Sequence, residues 1–190
     1  MINTIIEHIA SRLNEYFNVR AGAAQELWVV PGSLMNLDGT ANNSLFKKVV
    51  LSVVNVEEDR IYHSTETFSR RPDGTSDIVK PEVRLNLYLI FIGNFGQYTE
   101  ALKEISWVIA FFQHHPAFEY ASIQGLEGRR GRIVFEMFSP TFEQQNHLWG
   151  ALGAKYMPSV LYKAGLVTIT DEAVEGEAPP VQAILIESVR

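Results

Sequence analysis

Residues 83–92 have the sequence VRLNLYLIFI, the strongest strand pattern in the chain. Every second residue from Val83 to Phe91 is apolar, so these side chains share one face of a strand. On the opposite face the polar Arg84 and Asn86 are followed only by apolar or aromatic residues. A strand that becomes apolar on both faces usually lies in the centre of a sheet, or has one face covered by another subunit. The pattern therefore predicts a central strand.

Three helices are predicted to pack beside this strand. Residues 1–18 carry apolar side chains every three or four positions, as in an amphipathic helix, and Gly22 follows as a stop signal. Residues 98–114 predict a second helix. Its second half, WVIAFF at residues 107–112, is apolar around most of its circumference and must be covered on more than one side. Residues 142–154 predict the third helix.

Further strand patterns complete a sheet around the central strand. Runs of β-branched and aromatic residues predict strands at 27–30, 49–56, 133–138 and 160–169, and a return strand at 60–68. We therefore expect an α+β fold, a mostly antiparallel mixed sheet with about three packed helices. Between these strands, the sequence SRRPDGTSDIVKPE at residues 69–82 is polar and interrupted by proline and glycine, which predicts a long loop.

Length and composition predict one domain followed by a tail. The chain has 190 residues, of which 46% are hydrophobic, enough to form a packed core. We expect a single domain over residues 1–170. Residues 171–190 have a different composition, since an acidic stretch with Pro179 and Pro180 leads into a short apolar segment. The absence of cysteine excludes disulfides and thiolate metal sites.

The charge distribution argues against nucleic acid and membrane partners. The net charge is −6, and residues 171–190 hold −4 of it, because five acidic residues there face one arginine. The rest of the chain is close to neutral and lacks the basic excess that binding to phosphates requires. No apolar run approaches the ~20 residues that span a bilayer, so we expect no direct membrane insertion. The first residues also lack the basic start of a secretory signal.

The chain carries no convincing signature of catalysis, of a cofactor or of a metal. Glu143 and His147 are spaced like a two-ligand pair on a helix, but there is no HExxH sequence and no third ligand. The glycines and arginines of residues 125–132 lead into a predicted strand, whereas a phosphate-binding loop leads into a helix. No GxSxG nucleophile elbow is present. We therefore expect no catalytic residues, no cofactor and no metal.

Several blocks of the sequence, in order along residues 1–170, resemble the cap or tail-terminator proteins of contractile injection systems. The most specific block is FEQQNHLWGALGAKYMPSVLY at residues 142–162. The other blocks are KVVLSVVNVEE at 48–58, KPEVRLNLYLIF at 80–91, YTEAL at 98–102 and VIAFFQ at 108–113. Within the block at residues 142–162, we expect Trp149, Tyr156 and Tyr162 to lie in the core. The acidic tail lies outside the resemblance.

The resemblance implies a structural role rather than a chemical one. Such caps form a ring on the baseplate-distal end of the inner tube and the contractile sheath, and they stop polymerisation of both. It implies a homo-oligomer, a hexameric ring because tube and sheath are six-fold, with the tube and sheath proteins as partners. It also implies assembly in the bacterial cytoplasm as part of an injection particle, either released or membrane-anchored. The fold implied is tail-terminator-like, with helices packed on a mostly antiparallel sheet.

A cyclic ring needs two different complementary patches on each subunit. The candidate interface residues are the charged groups of the polar loop, the apolar half of the second helix, the arginine turn and the acidic tail. They are Arg70, Arg71, Asp73, Asp77, Trp107, Phe111, Arg129, Arg130, Glu172 and Glu175. For the helix, the alternative is burial in the chain's own core. For the whole protein, the alternatives are another structural adaptor of the same machine, or a small enzyme of unrecognised type.

Overall fold

The chain forms three α-helices and nine strands within the described residues. This computed structural model describes residues 1–23, 25–59, 68–70, 76–78, 83–129, 131–169 and 176–178. The helices are α1 (Ile2–Ala21), α2 (Tyr98–His114) and α3 (Phe142–Leu152). The strands are β1 (Val29–Pro31), β2 (Lys48–Glu58), β3 (Phe68–Arg70), β4 (Ser76–Ile78), β5 (Val83–Asn94), β6 (Ala117–Glu119), β7 (Arg132–Phe138), β8 (Ser159–Ile169) and β9 (Gly176–Ala178). Short 3₁₀ helices occupy Asn43–Leu45 and Tyr120–Ser122.

The chain divides into two compact units, one of residues 1–57 and 85–167 and one of residues 58–84 and 168–190. The first unit contains the three helices and a six-stranded sheet with the order β1-β2-β5-β8-β7-β6. In this sheet β1 pairs with β2 in parallel, whereas β7 pairs with both β6 and β8 antiparallel. The prediction of an α+β fold with a mixed sheet and three helices is confirmed.

Strand β5 lies inside the sheet, between β2 and β8, as its alternating pattern predicts. Leu87, Leu89 and Phe91 are completely buried on one face, in the larger hydrophobic cluster. Ile90 and Ile92 are completely buried on the other face, in a second cluster. Burying one such side chain contributes about 1.5–3 kcal/mol to folding, so this strand anchors both layers of the unit.

The larger cluster is formed by α1 and α2 on one face of the sheet. Tyr16 and Phe17 of α1 contact Phe111 and Trp107 of α2, with ring centroids 5.4 and 5.3 Å apart. The predicted stop signal is confirmed, because Gly22 ends α1 in the left-handed region with a φ of 63°. The buried residues of α1 are Ile5, Ile6, Ile9, Ala10, Leu13 and Phe17.

The second cluster lies beneath α3 on the opposite face. Thr141 begins this helix with a capping box, since its side chain accepts from the Gln144 backbone N–H while the Gln144 side chain accepts from the Thr141 backbone N–H. Trp149 is the buried residue of α3, and Leu34 and Leu45 from the loop after β1 pack in the same cluster. Of the three aromatic residues expected in the core, Trp149 and Tyr162 are buried. Tyr156 is 61% exposed, and that prediction is wrong.

The described strands of the second unit form a small antiparallel sheet with the order β3-β4-β9. Two of these strands lie within the predicted loop of residues 69–82 or at its edge, and β9 comes from the predicted tail. The division into two units therefore differs from the expected single domain over residues 1–170. The difference arises because β4 pairs with β9 about a hundred residues later in the chain. The predicted return strand at 60–68 lies outside the described residues except for Phe68.

Candidate functional site

Phe111, a predicted interface residue, belongs to the core. It is 1% exposed, and its ring packs against Tyr16, Phe112 and Phe118 with centroids 5.4, 5.2 and 6.1 Å apart. A side chain without exposed surface cannot contact a partner of the folded chain, so the prediction for Phe111 is wrong. The alternative, burial of this half of α2 in the chain's own core, holds for Phe111 and Phe112.

Trp107 lies at the edge of the same cluster and keeps part of its surface. Its ring meets Phe17 edge to face, with centroids 5.3 Å apart. The Nζ of Lys103 lies 4.4 Å from its ring centroid, a cation–π contact on the surface of the helix. Trp107 therefore remains a predicted interface residue. Lys103 of the same helix would be part of the same surface.

The arginine turn is a compact loop that leads into a strand. Successive backbone hydrogen bonds join Ile123 to Tyr120, Leu126 to Ile123, and Arg129 to Leu126. Gly131 has a φ of 134°, and a Cβ there would lie 2.9 Å from Cε2 of Tyr120. Only glycine fits this position, and strand β7 follows it, as expected for a turn. Arg129 is partly exposed, and Arg130 lies outside the described residues.

The small sheet carries two of the predicted interface positions on neighbouring strands. Arg70 of β3 pairs with Ser76 of β4, and Asp77 of β4 pairs with both Ser69 and Glu177. The hairpin of β3 and β4 thus places an arginine and an aspartate one register step apart. Arg71, Asp73, Glu172 and Glu175 lie outside the described residues.

A surface residue that the sequence analysis did not single out is Phe46. It is 51% exposed and lies over Gly96, where a Cβ would be 3.4 Å from its ring. Lys47 next to it has a φ of 59°, a left-handed conformation that is unusual for lysine. Asn94 holds this turn, because its Nδ2 donates to the Leu45 carbonyl at 2.9 Å and its carbonyl accepts from Lys47 N–H at 2.8 Å.

Phe46 borders a cleft of about 360 Å³ between the loop after β1 and the end of α3. We call it the Phe46 cleft. Its apolar walls are formed by Leu34, Met35, Phe46, Ala154 and Met157. Asn42, Asn94 and Lys155 supply polar groups at its border. An exposed apolar concavity with a polar border is typical of a surface that binds another protein. The sequence gives only a weak signal for it, an apolar residue directly before two lysines.

One acidic side chain is buried among the residues that the structure describes. Glu104 of α2 is 1% exposed, and its Oε2 has no hydrogen-bond partner within the described part of the chain. Its Oε1 lies 3.6 Å from Nζ of Lys103. Burial raises the pKa of Glu104, and the lysine offsets this only in part.

Glu143 and His147 are exposed on α3, with 3.9 Å between Oε1 and Nε2. Within the described ranges, no three histidine, aspartate or glutamate side chains are grouped so that they could hold a metal ion. No helix in those ranges is both long and apolar enough to cross a bilayer.

Two solved structures have a similar fold. The sheath/tube terminator of an extracellular contractile injection system, PVC, in its extended state is 15% identical, with a TM-score of 0.57, and the match covers 94% of this chain and 62% of that chain. The tube-terminating cap of the anti-feeding prophage is 13% identical, with a TM-score of 0.58, and the match covers 94% of this chain and 59% of that chain. This chain spans about three fifths of the length of the structures it matches.

The sequence itself identifies the family. No curated protein is significantly similar to the chain in sequence. The family described as the Pvc16 N-terminal domain matches residues 4–183, which include all but the first two residues of α1, the other two helices, both sheets and the arginine turn. Because this match extends over most of the chain, the protein belongs to the Pvc16 N-terminal domain family.

Proposed function

We propose that this protein is a structural cap of a contractile injection system. In this role it binds the baseplate-distal end of the inner tube and sheath and terminates their polymerisation. The observation that carries the proposal is the fold match over 94% of the chain to two proteins described as terminators of a tube or sheath. Membership of the Pvc16 N-terminal domain family supports it from the sequence.

The proposed cap acts as a ring of identical subunits. A tube end presents rotational symmetry, and a ring of the same symmetry makes every contact once per subunit. We propose six copies, the number that the resemblance to injection-system caps implies. The particle would be assembled in the bacterial cytoplasm and would carry the ring as one of its components. The role is structural rather than catalytic, in line with the descriptions of both matched structures.

Different parts of the chain suggest different contacts, some with neighbouring copies and some with the tube or sheath. The Phe46 cleft supplies exposed apolar surface, which supports a role in contact between neighbouring copies. Strands β3 and β4 carry Arg70 and Asp77, and we propose that they contact the tube or sheath, where charged groups give orientation more than affinity. The arginine turn with Arg129 and Arg130 is proposed to meet acidic groups such as Glu172 and Glu175 of another subunit.

The test is the absolute mass of the full chain, alone and with its tube protein, measured by light scattering. We expect a six-subunit ring, or a monomer that forms a ring only on tube ends. Electron microscopy of the mixture should then show density at one end of each tube. A chain that stays monomeric and leaves tube ends bare would overturn the proposal.

A further inference from the structure

The loop after β1 holds a leucine in solvent, on a turn that we call the Leu37 tip (residues 36–40). The side chain of Leu37 is fully exposed, although the same loop supplies Leu34 and Leu45 to the second hydrophobic cluster. A single exposed leucine is common on protein surfaces, so its setting decides whether it can serve as a contact.

The Leu37 tip is held in one conformation by hydrogen bonds of its own. Met35 and Ala41 at its base form an antiparallel bridge. Above the base, Asn36 N–H donates to the Thr40 carbonyl at 2.8 Å. The carboxylate of Asp38 accepts from Thr40 N–H at 2.9 Å and from the Thr40 hydroxyl at 2.6 Å. A preformed turn loses little conformational entropy when its apex is bound.

The Leu37 tip also carries one negative charge. Asp38 follows Leu37 directly and is the one charged residue between Gly32 and Phe46. Hydrogen bonds from the Thr40 hydroxyl and backbone N–H lower the pKa of Asp38, so its carboxylate is ionised at pH 7. The tip therefore presents an apolar and an anionic side chain next to each other. A surface that matches it must be apolar with a cation at its edge.

The Phe46 cleft has this combination. Its apolar walls enclose about 360 Å³, which is room for an aliphatic side chain. Of the described residues that line it, Lys155 alone carries a charge. Lys155 is exposed, and so is Lys47 beside Phe46. The cleft is thus apolar inside and cationic at its border, and it complements the tip in both respects.

The tip of the same chain does not fill this cleft. Met35 and Ala41 at the base of the tip line the cleft, whereas Leu37 is fully exposed and is not among the lining residues. A second copy of the chain offers an identical tip. Because the chain itself supplies both complementary surfaces, the structure favours a neighbouring copy over the tube or sheath as the occupant. Tip and cleft are different surfaces, as the subunit contact of a ring requires.

We propose that the Leu37 tip of one copy occupies the Phe46 cleft of a neighbouring copy. The Leu37 side chain packs against the apolar walls of the cleft, and the Asp38 carboxylate pairs with the Lys155 ammonium group. Burial of the leucine supplies most of the affinity, and the ion pair fixes the orientation. The inference rests on the contact between copies that is part of the proposed function, and it names the two surfaces that meet there.

Disulfide trapping tests this contact directly, because the chain contains no cysteine. Leu37→Cys on a size-tagged chain is mixed with Ala154→Cys on an untagged chain and oxidised mildly, alone and with the tube protein. Each chain then holds a single thiol, so a disulfide between the two variants joins two copies. Such a bond needs Cα atoms ~4.4–6.8 Å apart, and we expect the mixed product on a non-reducing gel.

Val19→Cys takes the place of Leu37→Cys in the matched control. Val19 is exposed on α1 and does not line the cleft. Its mixture with Ala154→Cys should give no product beyond that of random collision. Cysteine is itself a small apolar side chain, so Leu37→Cys keeps part of the contact that it reports.

A double-mutant cycle tests the ion pair and leaves the apolar contact intact. Asp38→Asn keeps an oxygen that can accept from Thr40 and removes the charge, and Lys155→Gln removes the partner charge. Each single substitution should weaken association about threefold, the size of an exposed ion pair. The double variant should be no weaker than either single variant. Glu143→Gln on α3 is the control, and its effect should simply add to that of Lys155→Gln. Light scattering over a concentration series measures association.

The outcomes separate this contact from the cap function. A chain that associates without forming the mixed disulfide would overturn the contact, and so would additive effects of Asp38→Asn and Lys155→Gln. If the tip touches the tube or sheath instead, Asp38→Asn lowers binding to particle ends and leaves the mass of the oligomer unchanged, which also contradicts the proposal. Linked copies that leave tube ends bare count against the cap function alone. A chain that stays monomeric with and without the tube protein contradicts both.

Discussion

The side chain of Asn14 binds the backbone of Val29 in both directions. Its Nδ2 donates to the Val29 carbonyl at 2.8 Å, and its Oδ1 accepts from Val29 N–H at 2.9 Å and from Trp28 N–H at 2.7 Å. Val29 begins β1, which is the edge strand next to β2. The side chain of Asn14 thus occupies both backbone hydrogen-bonding groups of Val29 at this edge. These two groups are therefore not free to pair with a strand of another chain.

The contact between Asn14 and β1 should contribute strongly to stability. Asn14→Ala removes three hydrogen bonds and leaves partly buried backbone groups without a partner, so we expect the free energy of unfolding to fall by about 2–3 kcal/mol. Urea denaturation of the full chain measures this difference. Asn3→Ala is the matched control, since Asn3 lies on the same helix and makes one exposed hydrogen bond to Glu7. It should change stability by less than about 0.5 kcal/mol. Equal effects of the two substitutions would contradict the role of Asn14.

Gly131 should tolerate no side chain. Its φ of 134° is unfavourable for any other residue, and a Cβ would lie 2.9 Å from the ring of Tyr120, which is 1% exposed and has no room to move. Gly131→Ala is expected to lower the free energy of unfolding by about 2 kcal/mol or more. Gly128→Ala in the same turn is the control, because a Cβ there meets no atom within 4 Å. Thermal unfolding of both variants decides the matter, and similar melting temperatures would refute the steric argument.

The elements that the sequence predicts correctly are those set by local patterns. The alternation in residues 83–92 is a direct consequence of a strand buried on both faces, and it identifies β5 without knowledge of its neighbours. Gly22 ends α1 for an equally local reason. Pairing between distant segments cannot be predicted from such local patterns. Nothing in the polar sequence around β4 indicates that it pairs with β9, because the backbone hydrogen bonds that join them are independent of side-chain type.

The residues of the candidate site show the same difference between what local patterns predict and what contacts with distant segments decide. Phe111 was predicted at an interface because the pattern gives the amount of apolar surface on α2, but not how much of it α1 and the sheet cover. Tyr156 was predicted in the core with Trp149 and Tyr162 of the same block, yet it follows the end of α3 and is 61% exposed, with its ring centroid 5.5 Å from that of the buried Trp149. Phe46 was not predicted, since a single apolar residue before two lysines gives no pattern from which its exposure could be inferred.

The buried Glu104 should make stability depend on pH. Burial raises its pKa in the folded chain above the unfolded value, so its protonated form favours the native state. Its contribution is complete below the unfolded pKa and is lost as pH rises through the folded pKa. Glu104→Gln keeps the shape and removes the titration. We expect the free energy of unfolding of this variant, relative to the wild type, to increase as pH rises above the ordinary glutamate range.

Denaturant titrations of both proteins between pH 4 and pH 8 measure this dependence. Glu143→Gln is the control for the loss of a carboxylate, since Glu143 is exposed on α3. Its difference from the wild type should change less with pH than that of Glu104→Gln. A difference for Glu104→Gln that is constant, or that shrinks as pH rises, would show that burial does not control the ionisation of Glu104.

The Phe46 cleft leads to a prediction about assembly. If neighbouring copies meet there, Phe46→Ser removes a large apolar side chain from the contact and should weaken association by about tenfold or more. Because Phe46 is 51% exposed in the single chain, the fold itself should lose little stability. Val19→Ser is the matched control, since Val19 is 83% exposed on α1 and does not line the cleft. Light scattering over a concentration series compares the three proteins. Loss of the oligomer only in Phe46→Ser places the cleft in the ring, whereas equal masses would move the subunit contact elsewhere.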